Sequence, residues 1–156
     1  MTYRLDPTSI PVIDIFAGPG GLGEGFSAFT DHQGRHPFKI ALSIEKDPVA
    51  HKTLLLRSFF RQFPKGQAPH AYYDRLRQQI TTADLLAAHP KEAAAARYEA
   101  WNATLGDDAS APLGLLRQRV REALGHFPDG ESRWALIGGP PCQAYSLVGD
   151  LLNKEN

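Results

Sequence analysis

The chain has 156 residues, of which 42% are hydrophobic and 22% charged, and its 17 basic and 17 acidic residues give no net charge. These values predict one globular domain and argue against nucleic-acid binding over the whole surface. The single cysteine excludes an intramolecular disulfide and a thiol-rich metal site. No stretch is typical of a signal peptide or a membrane span, so we expect a cytoplasmic protein without a metal.

The first half of the chain alternates between predicted strands and helices. IPVIDIFAG (10–18) is an apolar, β-branched run that predicts a buried strand, and GPGGLGEGFSAF predicts a glycine-rich turn followed by a short helix. FKIALSIEKD (38–47) predicts a second strand. Pro48 suits the first position of the next helix, with Asp47 as its N-cap.

The second half is predicted to be mostly helical before one last strand. YYDRLRQQI, AAHPKEAAAARYEAW and LLRQRVREAL favour helices, and we expect a helical insertion over about residues 82–130. RWALIGG (133–139) predicts a third strand. Strands separated by helices predict a parallel α/β sheet, in which ligands bind at the carboxyl ends of the strands.

Three chemically distinctive segments are predicted at that edge. GPGGLG (18–23) matches G-x-G-x-x-G between a strand and a helix, Glu45 ends the next strand, and Cys142 follows the last one. Glycines let a ligand approach the backbone, and a carboxylate can accept hydrogen bonds from ribose hydroxyls. A dinucleotide and S-adenosylmethionine both fit these features. Asp14, just before the turn, is unfavourable beside a pyrophosphate and therefore favours the cationic S-adenosylmethionine.

The only cysteine lies on a stiff turn, in GGPPCQAYS (138–146). Pro140 and Pro141 restrict the backbone before Cys142, so the thiol is held at one place past a strand end. A thiolate favoured by nearby amide dipoles attacks electrophiles, whereas a lone cysteine is commonly a buried apolar residue. The proline turn favours the interpretation of Cys142 as a nucleophile.

Together, DIFAGPGGLGEGF (14–26), SIEKD (43–47) and GGPPCQAYS (138–146) resemble the first, second and fourth motifs of the DNA cytosine-5 methyltransferases, in the same order. The resemblance covers residues 10–63 and 133–149, less than half of the chain. It implies an α/β fold with a Rossmann-like S-adenosylmethionine-dependent methyltransferase sheet, incomplete and with helices on both faces.

The resemblance also implies domain bounds and a role for each matching residue. Residues 1–149 would be the N-terminal part of the catalytic domain and 150–156 a divergent tail. Cys142 would be the catalytic nucleophile, and Gln143 and Ser146 would contact DNA. The S-adenosylmethionine pocket would be formed by the glycine turn, the end of the second strand and the cysteine turn, through Phe16, Ala17, Gly18, Gly20, Gly21, Leu22, Glu45, Lys46 and Pro141.

The chemistry implied by the resemblance is methyl transfer to a cytosine flipped out of double-stranded DNA. The Cys142 thiolate would add to carbon-6 and make carbon-5 nucleophilic enough to take the methyl group. Loss of the carbon-5 proton and expulsion of the thiolate would complete the reaction.

The sequence departs from the family pattern at several places. The family's acidic residue near the adenine amino group is not recognisable; Asp84 is a candidate, although a helix cap explains it better. DLLNKEN follows Gly149 where the family has a basic catalytic loop, and the glutamate that protonates cytosine is absent. We therefore expect a fragment or a subunit completed by a C-terminal partner, with little turnover alone.

Other interpretations remain open on the sequence. A nicotinamide-dependent oxidoreductase explains the glycines and Glu45 but leaves Cys142 unused, and a degenerate domain could bind S-adenosylmethionine without catalysis. The basic excess over residues 51–80 suits phosphate contacts or a solvated helix face. His32 and His36 lie in a stretch with glycine and proline and do not predict a zinc site.

Overall fold

The computed structural model describes residues 9–125 and 133–140. These residues form strands and helices in the order β1 (Ile10–Ile15), α1 (Gly21–Ala28), β2 (Phe38–Glu45), α2 (Pro48–Arg61), α3 (His70–Leu76), α4 (Thr82–Ala88), α5 (Pro90–Glu99), β3 (Ala100–Asn102), α6 (Leu113–Leu124) and β4 (Ala135–Gly138). All strand pairs are parallel, in the order β3-β2-β1-β4. The strand order therefore reverses between β1 and β4, which is where doubly wound sheets bind ligands.

Both faces of the sheet are covered by helices, as the Rossmann-like prediction requires. Ile13 and Ile15 of β1 belong to the apolar cluster that includes Leu116 and Val120 of α6. Asp14, between them, points to the opposite face, because neighbouring strand residues alternate, and its carboxylate approaches Gly23 of α1. The α/β fold class predicted from the sequence is confirmed.

A bulge in β2 determines which face its last residues occupy. Val12 pairs with Ile40 and Ile13 pairs with Leu42, so Ala41 is an extra residue in the ladder. Beyond it, Leu42 and Ile44 join the cluster under α6, and the alternate residue Ser43 pairs with Asp14. Polar residues at the carboxyl end of β2 consequently share the α1 face with Asp14.

Helix α2 is the main support of that face. Its start is as predicted, because Pro48 is the first helical residue and the Asp47 side chain accepts a hydrogen bond from the Val49 amide at 2.8 Å. Phe59, fully buried, leads an apolar cluster that joins α2 to the helices α3, α4 and α5. This cluster is a second layer of helices behind the sheet.

Strand β3 replaces the end of the helix predicted over AAHPKEAAAARYEAW (87–101), because Ala100 and Trp101 are extended rather than helical. Its three residues, AWN, follow an alanine-rich helix without a break and pair with Ser43–Glu45. It lies within 82–130, the stretch expected to be a helical insertion, which is otherwise helical over α4, α5 and α6. The status of this stretch as an insertion and the bounds 1–149 and 150–156 stay predictions.

Candidate ligand site at the carboxyl edge of the sheet

The glycine loop, residues 16–20, connects β1 to α1 through three residues in the left-handed backbone region. Phe16 has φ 54°, Gly18 φ 56° and Gly20 φ 87°. A bulky residue in this region costs about 1–3 kcal/mol, and such strain clusters at binding sites. Phe16 is also 39% exposed, so an aromatic ring stands at the strand end with one side open.

The loop leaves one glycine open and packs another against a helix. Nothing lies within 4 Å of the position that a Cβ at Gly18 would take, whereas a Cβ at Gly20 would lie 2.8 Å from Cδ1 of Leu54. Ala17 is buried beside Leu54 and Ala100. The loop therefore faces open space with Phe16 and Gly18 and faces the core with Ala17 and Gly20.

Glu45 joins the ends of β1 and β2. Its Oε2 accepts a hydrogen bond from the Gly18 amide at 2.7 Å, and its Oε1 accepts one from the Asp47 amide at 2.7 Å. Glu45 is only 8% exposed, yet each carboxylate oxygen keeps a second acceptor position. The predicted proximity of the glycine turn and the carboxylate is thus present as a direct contact.

A small cavity of about 100 Å³ opens beside Phe16 at this edge. Its lining combines the loop, the end of β2 and the segment after β3, through Phe16, Ile44, Lys46, Ala103, Thr104 and Leu105. The walls are mostly apolar, with Lys46 and Thr104 as the polar groups. Lys46, predicted as a cofactor-binding residue, lies in this lining.

The segment after β3 is the part of the site that sequence reasoning missed. Asn102 donates from Nδ2 to the carbonyls of Glu45 at 2.7 Å and Lys46 at 3.1 Å, and the Ala103 amide donates to the Glu45 carbonyl at 3.1 Å. These bonds fix the β3 end against the β2 end. The sequence would have predicted this part of the site only if AWN had been identified as a strand. Three residues are too few to show a periodic strand pattern.

The structure brings the last described strand to the same edge. Gly138 of β4 pairs with Ile15, and a Cβ at Gly139 would lie 3.9 Å from the Phe16 carbonyl oxygen. The predicted nucleophile Cys142 follows directly in the sequence. Cys142 and its neighbours Pro141, Gln143 and Ser146 lie outside the described residues, and their roles stay predictions.

Two other predicted cofactor residues line a different depression. Gly21 and Leu22 border an apolar cavity of about 270 Å³ on the outer side of α1, together with Gly25, Phe26, Phe29 and Phe38. Phe38 contacts the rings of Phe26 and Phe29 at centroid distances of 5.2 and 5.7 Å. Neither Gly21 nor Leu22 lines the cavity beside Phe16.

Asp84 caps a helix. Thr81 is the N-cap of α4, and the Asp84 carboxylate accepts hydrogen bonds from the Thr81 amide at 3.0 Å and hydroxyl at 2.6 Å. These bonds hold the pKa of Asp84 below its ordinary value. Asp84 therefore lies at a helix start, but the N-cap expected at Asp84 is Thr81, and Asp84 occupies the third helical position of a capping box.

All four arginines of the basic stretch 51–80 make contacts within the fold. Arg57 donates to the Pro19 carbonyl at 2.9 Å, Arg75 to the Thr82 hydroxyl at 2.7 Å, and Arg77 lies 3.5 Å from an Asp74 oxygen. Arg61 pairs with Glu24 and Glu99. These contacts occupy the arginines within the fold; Arg61, which is mostly buried, fits neither a phosphate-binding surface nor the expected solvated helix face.

Asp14 is a fully buried carboxylate next to the loop. Neither of its oxygens, nor the hydroxyl of its neighbour Ser43, has a hydrogen-bond partner among the described residues. Burial raises its pKa to about 6, the Glu45 charge adds to that rise, and Arg61 and the Gly23 amide act against it. Asp14 therefore keeps its proton to a higher pH than an exposed carboxyl does, up to about pH 6.

This pKa predicts a pH-dependent stability. The folded chain keeps the Asp14 proton up to about pH 6, while the unfolded chain releases it near 3.8, so the stability contributed by Asp14 is present below 3.8 and is lost as the pH rises through 6. The loss amounts to about 2–3 kcal/mol. In Asp14→Asn, urea unfolding should show the variant gaining stability relative to the native chain between pH 4 and 7. A constant difference over that range would contradict the assignment.

The described residues contain neither a membrane-spanning helix nor a metal-binding cluster. No helix in the ranges 9–125 and 133–140 is long and apolar enough to cross a membrane. Within the same ranges, no group of three or more histidine, cysteine or acidic side chains could hold a metal ion.

Comparison with known proteins finds a methyltransferase. The chain is 32% identical to the Type II methyltransferase M.Bpa9945I of Bacillus paralicheniformis, over 93% of its own length. It spans about a third of that relative, 33%. No family model and no solved structure matches the chain. The similarity supports a relationship to methyltransferases over nearly the whole chain.

Proposed function

We propose that the chain is the cofactor-binding and nucleophile-bearing part of a DNA cytosine-5 methyltransferase that uses S-adenosylmethionine. The main support is the arrangement at the sheet edge, where a mostly apolar cavity, a nearly buried carboxylate and an open glycine loop meet. A cofactor with a nucleoside suits this combination. The similarity to a Type II methyltransferase favours S-adenosylmethionine over a nicotinamide dinucleotide.

The residues present fit such a cofactor. Phe16 and Lys46 would contact the adenine ring in the cavity, and Glu45 would accept hydrogen bonds from the ribose with the acceptor positions left free by Gly18 and Asp47. The open side of Gly18 leaves room for the amino acid tail. When bound, S-adenosylmethionine supplies an electrophilic methyl group.

The chain's own contribution to the chemistry is the nucleophile. The Cys142 thiolate would form a bond to carbon-6 of the flipped cytosine, and carbon-5 of the resulting enamine would take the methyl group, with S-adenosylhomocysteine as the leaving group. Transfer of the carbon-5 proton to a base would then return its electron pair to the ring, and the carbon–sulfur bond would break with the thiolate as leaving group. Pro141 would border the methyl group, and Gln143 and Ser146 would contact the DNA. Strand β4, ending beside Phe16, supports this placement of the turn.

Cofactor identity is tested by calorimetric titration of the chain with S-adenosylmethionine and with NAD. We expect heat of binding with S-adenosylmethionine and none with NAD. Binding of NAD alone would overturn the proposal in favour of an oxidoreductase.

The covalent step is tested by trapping on duplex DNA in which 5-fluorocytosine replaces every cytosine, since the target sequence is unknown. In the presence of S-adenosylmethionine and a polypeptide corresponding to the remainder of the relative, we expect an adduct that survives denaturing electrophoresis. Cys142→Ser should form none. Absence of any adduct from a chain that binds S-adenosylmethionine would indicate a binding module without catalysis.

A further inference from the structure

The glycine loop is held by hydrogen bonds at two adjacent residues. The Gly18 amide donates to Glu45 Oε2 at 2.7 Å, and the Pro19 carbonyl accepts from Nη1 of Arg57 at 2.9 Å. Arg57 lies 38 residues further along the chain, in the middle of α2. The loop is therefore fixed from opposite sides, by β2 and by a helix behind the sheet.

Helix α2 also contacts the loop at a third point and is itself tied to Glu45. Leu54, one turn before Arg57, occupies the space that a Cβ on Gly20 would need, at 2.8 Å. The Asp47 amide at the start of α2 donates to the other oxygen of Glu45 at 2.7 Å. The contacts close a ring that runs from Gly18 through Glu45 and α2 to Arg57 and back to Pro19.

We propose that Arg57 is a positioning residue that keeps the glycine loop in its ligand-binding conformation; this rests on the proposed function of the same site. The loop contains three left-handed residues, including Phe16, and a free loop would leave that conformation easily. The hydrogen bond from Arg57 to the exposed Pro19 carbonyl adds little to the free energy of unfolding. Without Arg57, the entropy lost on ordering the loop would instead be lost when the ligand binds, which weakens affinity.

The first test needs no ligand. Amide hydrogen exchange of Arg57→Met should be about tenfold faster than in the native chain at Gly18 and Gly20, while the amides of β1 and β2 keep their rates. Lys52→Met, which removes one exposed positive charge from the same helix, is the matched control and should exchange like the native chain. Arg57→Lys, which keeps a donor, should restore part of the protection.

The second test measures affinity for S-adenosylhomocysteine by calorimetry. Arg57→Met should bind about tenfold more weakly and Arg57→Lys should recover most of that loss, with Lys52→Met unchanged. Native exchange rates in Arg57→Met would overturn the inference, as would native affinity. A general rise in exchange over the sheet, with Arg57→Lys no better, would assign Arg57 to folding and also overturn it. If the native chain binds no S-adenosylhomocysteine, the proposed function is wrong. The hydrogen-exchange rates still test whether Arg57 holds the glycine loop, because that experiment needs no ligand.

Discussion

Replacement of Arg61 by methionine is expected to lower the free energy of unfolding by about 3–5 kcal/mol, because it leaves a buried carboxylate without its charged partner. Arg61 pairs with Glu24 of α1 and donates to Glu99 Oε1 from Nε at 3.1 Å and Nη2 at 2.5 Å. Glu99 is only 6% exposed. Without the guanidinium, the Glu99 carboxylate would be a buried charge whose main remaining hydrogen-bond donor is Gln62. Urea unfolding at pH 7 measures the loss.

The pH dependence and a second substitution separate this cause from lost packing. Burial raises the pKa of Glu99 and the Arg61 charge opposes the rise, so removing Arg61 should make protonation of Glu99 easier and shrink the penalty at low pH. Adding Glu99→Gln to Arg61→Met removes the unpaired charge and should recover at least about 1 kcal/mol. A penalty that is equal at pH 4 and 7, with no recovery in the double variant, would show that packing alone is responsible.

Gly138→Ala is expected to lower the free energy of unfolding by about 3 kcal/mol. A Cβ at Gly138 would lie 2.4 Å from the Ile15 carbonyl oxygen and 2.8 Å from Ile15 Cγ1. The first contact is with backbone of the paired strand, so the clash is relieved only by moving β4 away from β1. Because β4 leads to Cys142, we also expect the variant to lose adduct formation on 5-fluorocytosine DNA.

Gly139→Ala is the matched control for this substitution. A Cβ there would lie 3.9 Å from the nearest atom, the Phe16 carbonyl oxygen, which is an ordinary contact. The variant should unfold within about 0.5 kcal/mol of the native chain. Thermal or urea unfolding compares the two alanine variants, and equal stability of both would contradict the close approach of β4 to β1.

The main strands and the first helix boundaries followed from local patterns. The apolar run of β1, the proline and aspartate at the start of α2, and the glycines between β1 and α1 act through nearest neighbours in the chain, and the structure has each of them where predicted. Even the meeting of the glycine loop with Glu45 was predictable, because parallel strands end at one edge. For the residues that the structure describes, this prediction is confirmed by the hydrogen bond from the Gly18 amide to the Glu45 carboxylate.

Other parts of the site depend on contacts between residues distant in sequence. Strand β3 forms because β2 offers it a partner, since AWN alone carries no strand pattern, and only then do Thr104 and Leu105 reach the cavity beside Phe16. The extra residue Ala41 decides that Ser43 shares a face with Asp14. In the sequence, Arg57 and Arg61 belong to a basic stretch that is typical of a solvated helix face. In the structure they bind the glycine loop and two other helices, through contacts that the sequence does not predict.

The sequence by itself determined the α/β class, the order of the main elements and the edge at which a ligand would bind, since these depend on periodicity, caps and strand direction. The tertiary structure alone decided which residues line the cavity beside Phe16, that the Asp14 carboxylate is fully buried and that α2 holds the glycine loop. These features depend on the packing and dehydration of side chains that are far apart in the sequence, and local sequence patterns do not predict such contacts.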